Sequence, residues 1–320
     1  MPLYEVFSHS DRYHYRANLF SLATCFLILC TILTFLPPFL FAYYANGFWI
    51  KEGRYSEQAR INYSSKYILF VDNNDITTNR FFISSYSSIN AIFRNVMIFG
   101  TNTFSAIDNN NDNIVDQFSI TFQVLVGNNN TNVIINNINV WLIFQYELRA
   151  RQYINMETMA LINLFPPNGI TLSNNPNVTI VGDLILEQRQ PIQSSGIDTI
   201  YNKSIINLDN LFTTSSINLN PILDEYFTRK YYTSYQTQYI KWKSGTITGT
   251  NILTINIIVN IGRQSIRFIP GFWQEFKWGW IQYICVLLPF IFVFNRIKEF
   301  VFHNQLVKTL IELPYHRYKA

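Results

Sequence analysis

A long uncharged segment near the beginning of the chain limits what this protein can fold into. No charged side chain occurs in residues 17–50, between Arg16 and Lys51. About 20 apolar residues in a helix cross the hydrocarbon layer of a bilayer. The segment exceeds the apolar part of a signal peptide, about 7–15 residues, and no small-residue cleavage pattern follows it. We therefore predict a cytoplasmic N-terminal segment, residues 1–16, and a transmembrane helix over residues 17–45.

A second uncharged segment, residues 278–295, lies near the other end of the chain between Lys277 and Arg296. It is short for a span, but aromatic side chains gather where it begins, as they do at membrane–water interfaces. A buried core helix is the alternative, although the segment has no polar face. We predict a second transmembrane helix over residues 277–296, followed by a cytoplasmic tail, residues 297–320.

The tripeptide Gly-Phe-Trp occurs at residues 47–49, after the first predicted span, and at residues 271–273, before the second. With two spans, both copies lie on the same side of the membrane. Two aromatic belts explain the repeat, and so does docking of the two linkers on each other. The predicted membrane-interface side chains are Phe48, Trp49, Phe272, Trp273, Trp278 and Trp280.

The composition agrees with a membrane protein. Only 14% of the 320 residues are charged and 48% are hydrophobic, whereas a soluble domain averages about 25% charged residues. The net charge of +4 is modest and includes no long basic run. These values argue against a soluble globule, a disordered chain and a nucleic-acid-binding protein.

Residues 46–276, between the predicted spans, show the alternation of apolar and polar side chains that is typical of half-buried strands. It is clearest in residues 117–126 and 253–261, and residues 140–148 and 178–187 are further candidates. Clusters of Gly, Asn and Pro separate these segments, as turns require. We predict a mainly β protein, with an antiparallel β-sandwich-like extracellular domain held between two transmembrane α-helices.

Histidine and cysteine are missing from this β-domain, and although paired carboxylates remain possible, no pair stands out. The three cysteines lie in the predicted spans, and the four histidines lie outside residues 46–276. The domain therefore has no imidazole for a Ser or Cys triad, no thiol nucleophile and no His or Cys ligand for zinc. No GxGxxG, P-loop or HExxH pattern occurs. We predict a protein that is not an enzyme.

One loop has the ligand spacing of a calcium site. Residues 108–116 place side-chain oxygens at alternate positions, which suits a hard cation. Asn113 stands where calcium loops usually have Gly, and Asn tolerates a left-handed backbone best among the other residues. An ordinary Asn-rich turn before a strand is the alternative. Ca²⁺ is the one cofactor that the sequence suggests. Its predicted ligands are Asp108, Asn110, Asp112 and Asp116.

Four N-glycosylation motifs fall between the predicted spans. A segment this rich in Asn, Ser and Thr holds a similar number by chance, and a long segment can be translocated whatever its flanking charges. The motifs therefore permit an extracellular domain without deciding it. The candidate glycosylation sites are Asn62, Asn129, Asn177 and Asn202.

An ordered set of short motifs resembles one known family over nearly the whole chain. Near the beginning these are Leu3-Tyr4-Glu5, Phe7-Ser8-His9, Tyr15-Arg16-Ala17, Pro37-Pro38 and Asn46-Gly47-Phe48-Trp49. Near the end they are Pro270-Gly271-Phe272-Trp273, Trp280-Ile281-Gln282-Tyr283, Phe294-Asn295-Arg296-Ile297-Lys298 and Phe300-Val301-Phe302-His303-Asn304-Gln305. Between them lie the 108–116 loop, Gly182-Asp183-Leu184, Gln188-Arg189-Gln190-Pro191 and Gly196-Ile197-Asp198 before Tyr201-Asn202. In this order the motifs resemble the transmembrane protein 231 family.

The resemblance implies a structural membrane component of the ciliary transition zone. That family works in the Meckel syndrome (MKS) module, which contributes to the diffusion barrier controlling ciliary membrane composition and to ciliogenesis. The implied partners are other MKS module proteins (tectonic-like, B9-domain and transmembrane members) and the lipid bilayer, with no nucleic acid. The implied location is the ciliary membrane at the transition zone, with two spans and both termini in the cytoplasm.

The rival class is a channel or transporter accessory subunit, which can also have two spans and a large outer domain. Such outer domains are typically rich in disulfides, and pores tend to carry ionisable or Gly-lined positions. The cysteine-free β-domain and the charge-free spans argue against this class. Within the first span, Thr24 and Thr31 lie on one helical face and bond either a partner span or their own backbone.

Overall fold

The computed structural model describes residues 14–45, 52–74, 80–125, 133–167, 170–171, 175–193, 196–206, 220–245 and 251–312. The chain divides into two compact units. The helical unit comprises Met1–Lys51 and Pro270–Ala320, and the β unit comprises Glu52–Ile269.

The elements follow one another along the chain with strands concentrated in the β unit. In order they are β1 (His14–Arg16), α1 (Leu22–Tyr44), β2 (Gly53–Glu57), β3 (Arg60–Asn73), β4 (Arg80–Ser84), α2 (Ser87–Ile92), β5 (Phe99–Ile107), β6 (Gln117–Leu125), β7 (Ile135–Leu148), β8 (Tyr153–Leu164), β9 (Asn177–Gln188), β10 (Ile197–Asp198), α3 (Asn220–Thr228), β11 (Tyr231–Lys243), β12 (Ile252–Asn260), β13 (Gln264–Phe268), α4 (Phe272–His303) and β14 (Leu310–Glu312). The prediction of a mainly β protein is confirmed.

Helix α1 begins at Ser21, whose Oγ accepts a hydrogen bond from the Thr24 amide at 3.3 Å. This satisfies one of the amides left free at a helix start. The Thr24 hydroxyl donates to the Asn18 carbonyl at 2.8 Å, and the Thr31 hydroxyl donates to the Leu27 carbonyl at 2.8 Å. Both threonines therefore bond their own backbone, which is the second of the two alternatives above.

Within the helical unit, α1 and α4 run antiparallel. The Phe26 ring lies 6.0 Å from the Phe302 ring, and Phe39 lies 6.4 Å from Tyr283 at the other end of the pair. Strands β1 and β14 also pair antiparallel, with Tyr15 opposite Ile311. The chain segments that precede α1 and follow α4 are therefore joined.

The β unit contains two five-stranded sheets. The first sheet has the strand order β10-β8-β7-β3-β4, the second has β11-β9-β12-β6-β5, and β13 pairs with β2. Most pairs are antiparallel, but β9 runs parallel to β12, and β10 runs parallel to β8. The predicted antiparallel arrangement therefore holds for most strand pairs, and these two parallel pairs make the sheets mixed. A parallel pair needs a crossover of a dozen or more residues, and the chain between β9 and β12 provides one.

In β6 and β12 the predicted alternation places one face of the strand in the core. In β6, Phe118, Ile120 and Phe122 are buried, and every second residue of β12 is buried in the same way. Buried side chains of both sheets belong to one cluster. Across it, the Tyr67 ring of β3 lies 4.9 Å from Phe122. Area removed from water contributes about 25 cal/mol per Å², so this cluster is the main stabilising element of the β unit.

A smaller cluster covers the other face of the first sheet. Ile68 and Phe70 of β3 point into it, whereas Leu69 and Val71 point into the main core. Four consecutive residues of β3 are thus buried, so this strand shows no alternation and differs from the predicted pattern. Helix α3 contributes Tyr226 to the same cluster.

The Tyr226 hydroxyl joins β8 to β11. It accepts hydrogen bonds from the amides of Met159, at 3.1 Å, and Thr233, at 3.0 Å, and it lies 2.9 Å from Thr158 Oγ1. All four residues are buried. Because buried polar groups cost free energy unless they are bonded, this node fixes α3 and the start of β11 on the first sheet.

Candidate functional site

Helix α1 is the part of the described chain best suited to a membrane. It has 23 residues with a mean hydropathy of 2.3, and among the described residues it is the one helix long and apolar enough to cross a bilayer. Its large side chains remain accessible, with Phe35 50% and Leu36 54% exposed. Contiguous exposed apolar surface of this size marks contact with lipid or another protein. The membrane helix predicted at residues 17–45 therefore corresponds to α1.

Helix α4 is longer than the predicted second span. It has 32 residues, contains Pro289 and extends beyond residues 277–296 at both ends. At 1.5 Å per residue its length is about 48 Å. Its last turns are polar, and Arg296 Nη1 forms an ion pair with Glu299 Oε2 at 2.8 Å. The second span stays a prediction.

The predicted interface aromatics that the structure describes all lie in the first turns of α4. Phe272 is 69% exposed and Trp273 is 78% exposed, and their rings lie 5.5 Å apart. Trp278 and Trp280 are also exposed. This arrangement fits side chains that anchor a helix where hydrocarbon meets water. Phe48 and Trp49 lie outside the described residues.

The predicted calcium loop folds around hydrogen bonds to its own backbone. The carboxylate of Asp108 accepts from the Asn113 amide, and that of Asp112 accepts from the Ile114 amide, at 2.9 and 2.8 Å. Asn110 Oδ1 accepts from the Asp112 amide at 2.9 Å. Asn113 has a positive φ of 62°, so the left-handed turn expected there is confirmed.

Asp116 fastens this loop to the β unit. Its two carboxylate oxygens accept from Gln58 Nε2 at 2.7 Å and from the Asn109 amide at 2.9 Å, and these bonds lower the pKa of Asp116. Asp108 Oδ1 is enclosed and accepts no hydrogen bond from the residues that the structure describes. No group of three or more His, Cys, Asp or Glu side chains in the described ranges has the arrangement of a metal site. The hydrogen bonds explain the loop without an ion, and the Ca²⁺ site stays a prediction.

The candidate glycosylation sites differ in accessibility. Asn62 and Asn202 are exposed and both lie beside Gln145, the first as its strand partner and the second through a 2.8 Å hydrogen bond. Asn177 is half-buried in β9 and accepts from Asn256 at 3.2 Å. Asn129 lies outside the described residues. Of the three described sites, Asn62 and Asn202 are therefore the ones that a glycosylating enzyme reaches most easily.

One pocket in the β unit involves residues that sequence patterns did not indicate. It has a volume of about 380 Å³ and includes Tyr201, Lys203, Glu225 and Arg229 in its lining. Arg229 follows α3, whereas Tyr201 and Lys203 follow β10. Because these segments are distant in sequence and neither is periodic, only the tertiary structure brings them together.

Comparison with known proteins identifies the family. Residues 1–311 match the family described as Transmembrane protein 231. The chain is 33% identical to Transmembrane protein 231 of Xenopus tropicalis, with 97% of this chain and 96% of that protein covered. It is 32% identical to the Homo sapiens protein of the same name, covering 97% and 95%. This chain belongs to the transmembrane protein 231 family.

Proposed function

We propose that this protein is a non-enzymatic structural membrane component of the ciliary transition zone. The observation that carries the proposal is similarity to the transmembrane protein 231 family along almost the entire chain. Its function would be to contribute, within the MKS module, to the barrier that controls ciliary membrane composition and to ciliogenesis. Tectonic-like, B9-domain and transmembrane members of that module would be its partners.

The proposed topology has two spans, with both termini in the cytoplasm and the β unit outside the cell. Two features support it. The first is the antiparallel packing of α1 and α4, and the second is the pairing of β1 with β14, which joins the strand before α1 to the strand after α4. An even number of spans leaves both termini on one side of the membrane.

The proposed architecture of the outer part is a β-sandwich. It is supported by the single cluster of buried side chains that draws on both five-stranded sheets. Aromatic contacts between the sheets, Tyr67 with Phe122 and Phe118 with Phe144, have the geometry of a face-to-face core. Such a domain offers its outer faces and edges to neighbouring proteins.

Localisation tests the proposed role directly. A tagged copy expressed in ciliated cells is expected to concentrate at the base of the cilium, just above the basal body. Loss of the gene is expected to change the membrane-protein content of the cilium. Uniform plasma-membrane or endoplasmic-reticulum signal, together with normal ciliary composition after knockout, would contradict the proposal.

Topology is tested by glycosylation. With the β unit outside the cell, peptide N-glycosidase F is expected to shift the wild-type chain on a gel. The double variant Asn62→Gln/Asn202→Gln removes the two sites that are exposed in the described part of the chain and is expected to reduce that shift. A tag at either terminus is expected to react with antibody only after permeabilisation. Antibody access in intact cells would overturn the proposed orientation.

A further inference from the structure

The guanidinium of Arg229 is buried without an ion-pair partner among the described residues. Arg229 is 8% exposed, and the only hydrogen bond from its guanidinium to the described part of the chain runs from Nη1 to the Glu157 carbonyl, at 2.9 Å. Burying a cation costs several kcal/mol unless it is paired. Burial accordingly lowers the pKa of Arg229, although nearby Tyr226 and Glu225 oppose the shift.

Two aromatic rings hold the Arg229 side chain in place. Its Cζ lies 5.0 Å from the Tyr201 ring centre and 5.1 Å from the Tyr226 ring centre. The Tyr201 hydroxyl is itself fixed, since it accepts from the Lys230 amide at 3.1 Å. Cation–π contacts orient a guanidinium but do not neutralise it. The remaining N–H groups of Arg229 are thus preorganised to receive an anion.

The nearest buried carboxylate already has its own partners. Glu157 Oε2 pairs with Lys66 Nζ at 3.2 Å, and Oε1 accepts from the Ile205 amide at 2.9 Å. Glu157 therefore contacts Arg229 through its backbone carbonyl, which accepts a hydrogen bond, and not through its carboxylate. Among the residues lining the pocket, Glu225 is the only acid, against two cations, Arg229 and Lys203. The side chains that line the pocket thus carry one more positive than negative charge.

The pocket is lined by polar side chains together with one exposed aliphatic side chain. Ile200, which follows β10, is 63% exposed. β10 is the end strand of the first sheet. Arg and Tyr beside an exposed aliphatic side chain are typical of a protein-binding hot spot, and a free anion would leave Ile200 uncovered.

We propose that this Arg229 pocket binds an acidic peptide segment of a partner protein, with a Glu or Asp carboxylate on Arg229 and an aliphatic side chain against Ile200. A carboxylate matches the planar fork of a guanidinium and can accept two parallel hydrogen bonds. Lys203 adds attraction, and Glu225 repels the ligand. The inference stands apart from the ciliary role, because it concerns binding by the purified chain.

The test uses the full chain in lipid nanodiscs and a fluorescent hexapeptide of alternating glutamate and leucine with blocked ends. Anisotropy is expected to show binding of this peptide, with at least tenfold weaker binding of the matched glutamine–leucine peptide. Lys203→Gln is expected to weaken binding about threefold, whereas Glu225→Gln is expected to strengthen it about threefold. Both side chains are exposed, so neither change threatens folding.

Arg229→Gln is expected to abolish binding. Arg189→Gln is the matched control, because Arg189 lies 5.8 Å from the Tyr232 ring but does not line the pocket. Equal binding of the two peptides, or a Glu225→Gln variant that binds no better than wild type, would overturn the proposal. Displacement of the peptide by N-acetylneuraminic acid at equal concentration would also overturn it, in favour of an acidic sugar. The localisation experiment is unaffected by any of these outcomes.

Discussion

Helix α1 and strand β12 contain the same large aliphatic residue types, but these side chains are exposed in α1 and buried in β12. In α1, Leu29 and Leu36 are each 54% exposed, whereas Leu253, Ile255 and Ile257 of β12 are inaccessible. A helix satisfies its backbone hydrogen bonds internally and can face lipid on all sides, whereas a strand must share its hydrogen bonds with neighbours. The comparison shows that hydrophobic content alone does not separate a core from a membrane surface.

The largest expected loss of stability comes from removing a buried aromatic ring from the core of the β unit. Phe122→Ala deletes a side chain that is 1% exposed in the centre of the main cluster. It is expected to destabilise the β unit by about 3–5 kcal/mol. The measurement is urea unfolding of the full chain in detergent, with the protease sensitivity of the β unit as the readout. Phe35→Ala in α1 is the matched control, and equal destabilisation by both variants would contradict the comparison.

The second largest effect is expected when a charge is placed on the exposed surface of α1, where it should impair membrane insertion. Leu33 lies near the centre of α1 and is 38% exposed. Leu33→Asp is expected to cost about 2.5–3.5 kcal/mol of membrane insertion, because a carboxylate near the helix centre loses its hydration. A microsome integration assay gives the inserted fraction. Thr103→Asp on the exposed strand β5 should leave it unchanged, and full insertion of Leu33→Asp would show that α1 does not face lipid.

A smaller effect is expected where the two strands β9 and β11 approach closely. A Cβ on Gly182 would lie 2.4 Å from the Gln236 carbonyl oxygen and 2.6 Å from Cζ of Tyr235. Gly182→Ala therefore forces the backbone apart and is expected to cost about 1–3 kcal/mol. The measurement is thermal melting of each variant. Gly262→Ala serves as the control, because a Cβ on Gly262 meets no atom within 4 Å. Equal melting temperatures for the two variants would be inconsistent with this packing.

The smallest effect concerns alkaline pH. Burial raises the pKa of Tyr63 from 10.0 to about 12, and the Asn102 hydrogen bond partly opposes this. The folded state therefore holds the phenol proton more tightly than the unfolded state, so stability is lost as pH rises from about 10 to 12. Tyr63→Phe is expected to make this loss shallower in urea unfolding at several pH values. The exposed Tyr153→Phe is the control, and an identical pH slope for Tyr63→Phe would refute the assignment.

Sequence patterns predicted the parts of the fold that depend on local periodicity. β6 and β12 alternate along the chain, and α1 lacks charge, so each was identifiable from neighbouring residues. β3 was not, because Ile68 to Val71 are buried on both faces and lose the alternation. The parallel pairing of β9 with β12 depends on a crossover, which no short pattern records.

The candidate sites follow the same division. The turn at Asn113 was predictable, because its left-handed backbone is a local property. The Arg229 pocket was not, because its charge matters only after Tyr201 and Tyr226 enclose it. A lone arginine in a polar stretch has no signal of its own. The burial of Arg229 depends on tertiary contacts, and short sequence patterns do not record them.

The pairing of β1 with β14 sets an order on biosynthesis. β1 leaves the ribosome first among the described strands, and its partner leaves last, after α4. For the whole time in which the β unit is made, the backbone groups of β1 have no partner strand. This two-stranded ribbon therefore closes only after β14 has been synthesised, and a chain truncated after α4 would fold its β unit but leave β1 unpaired.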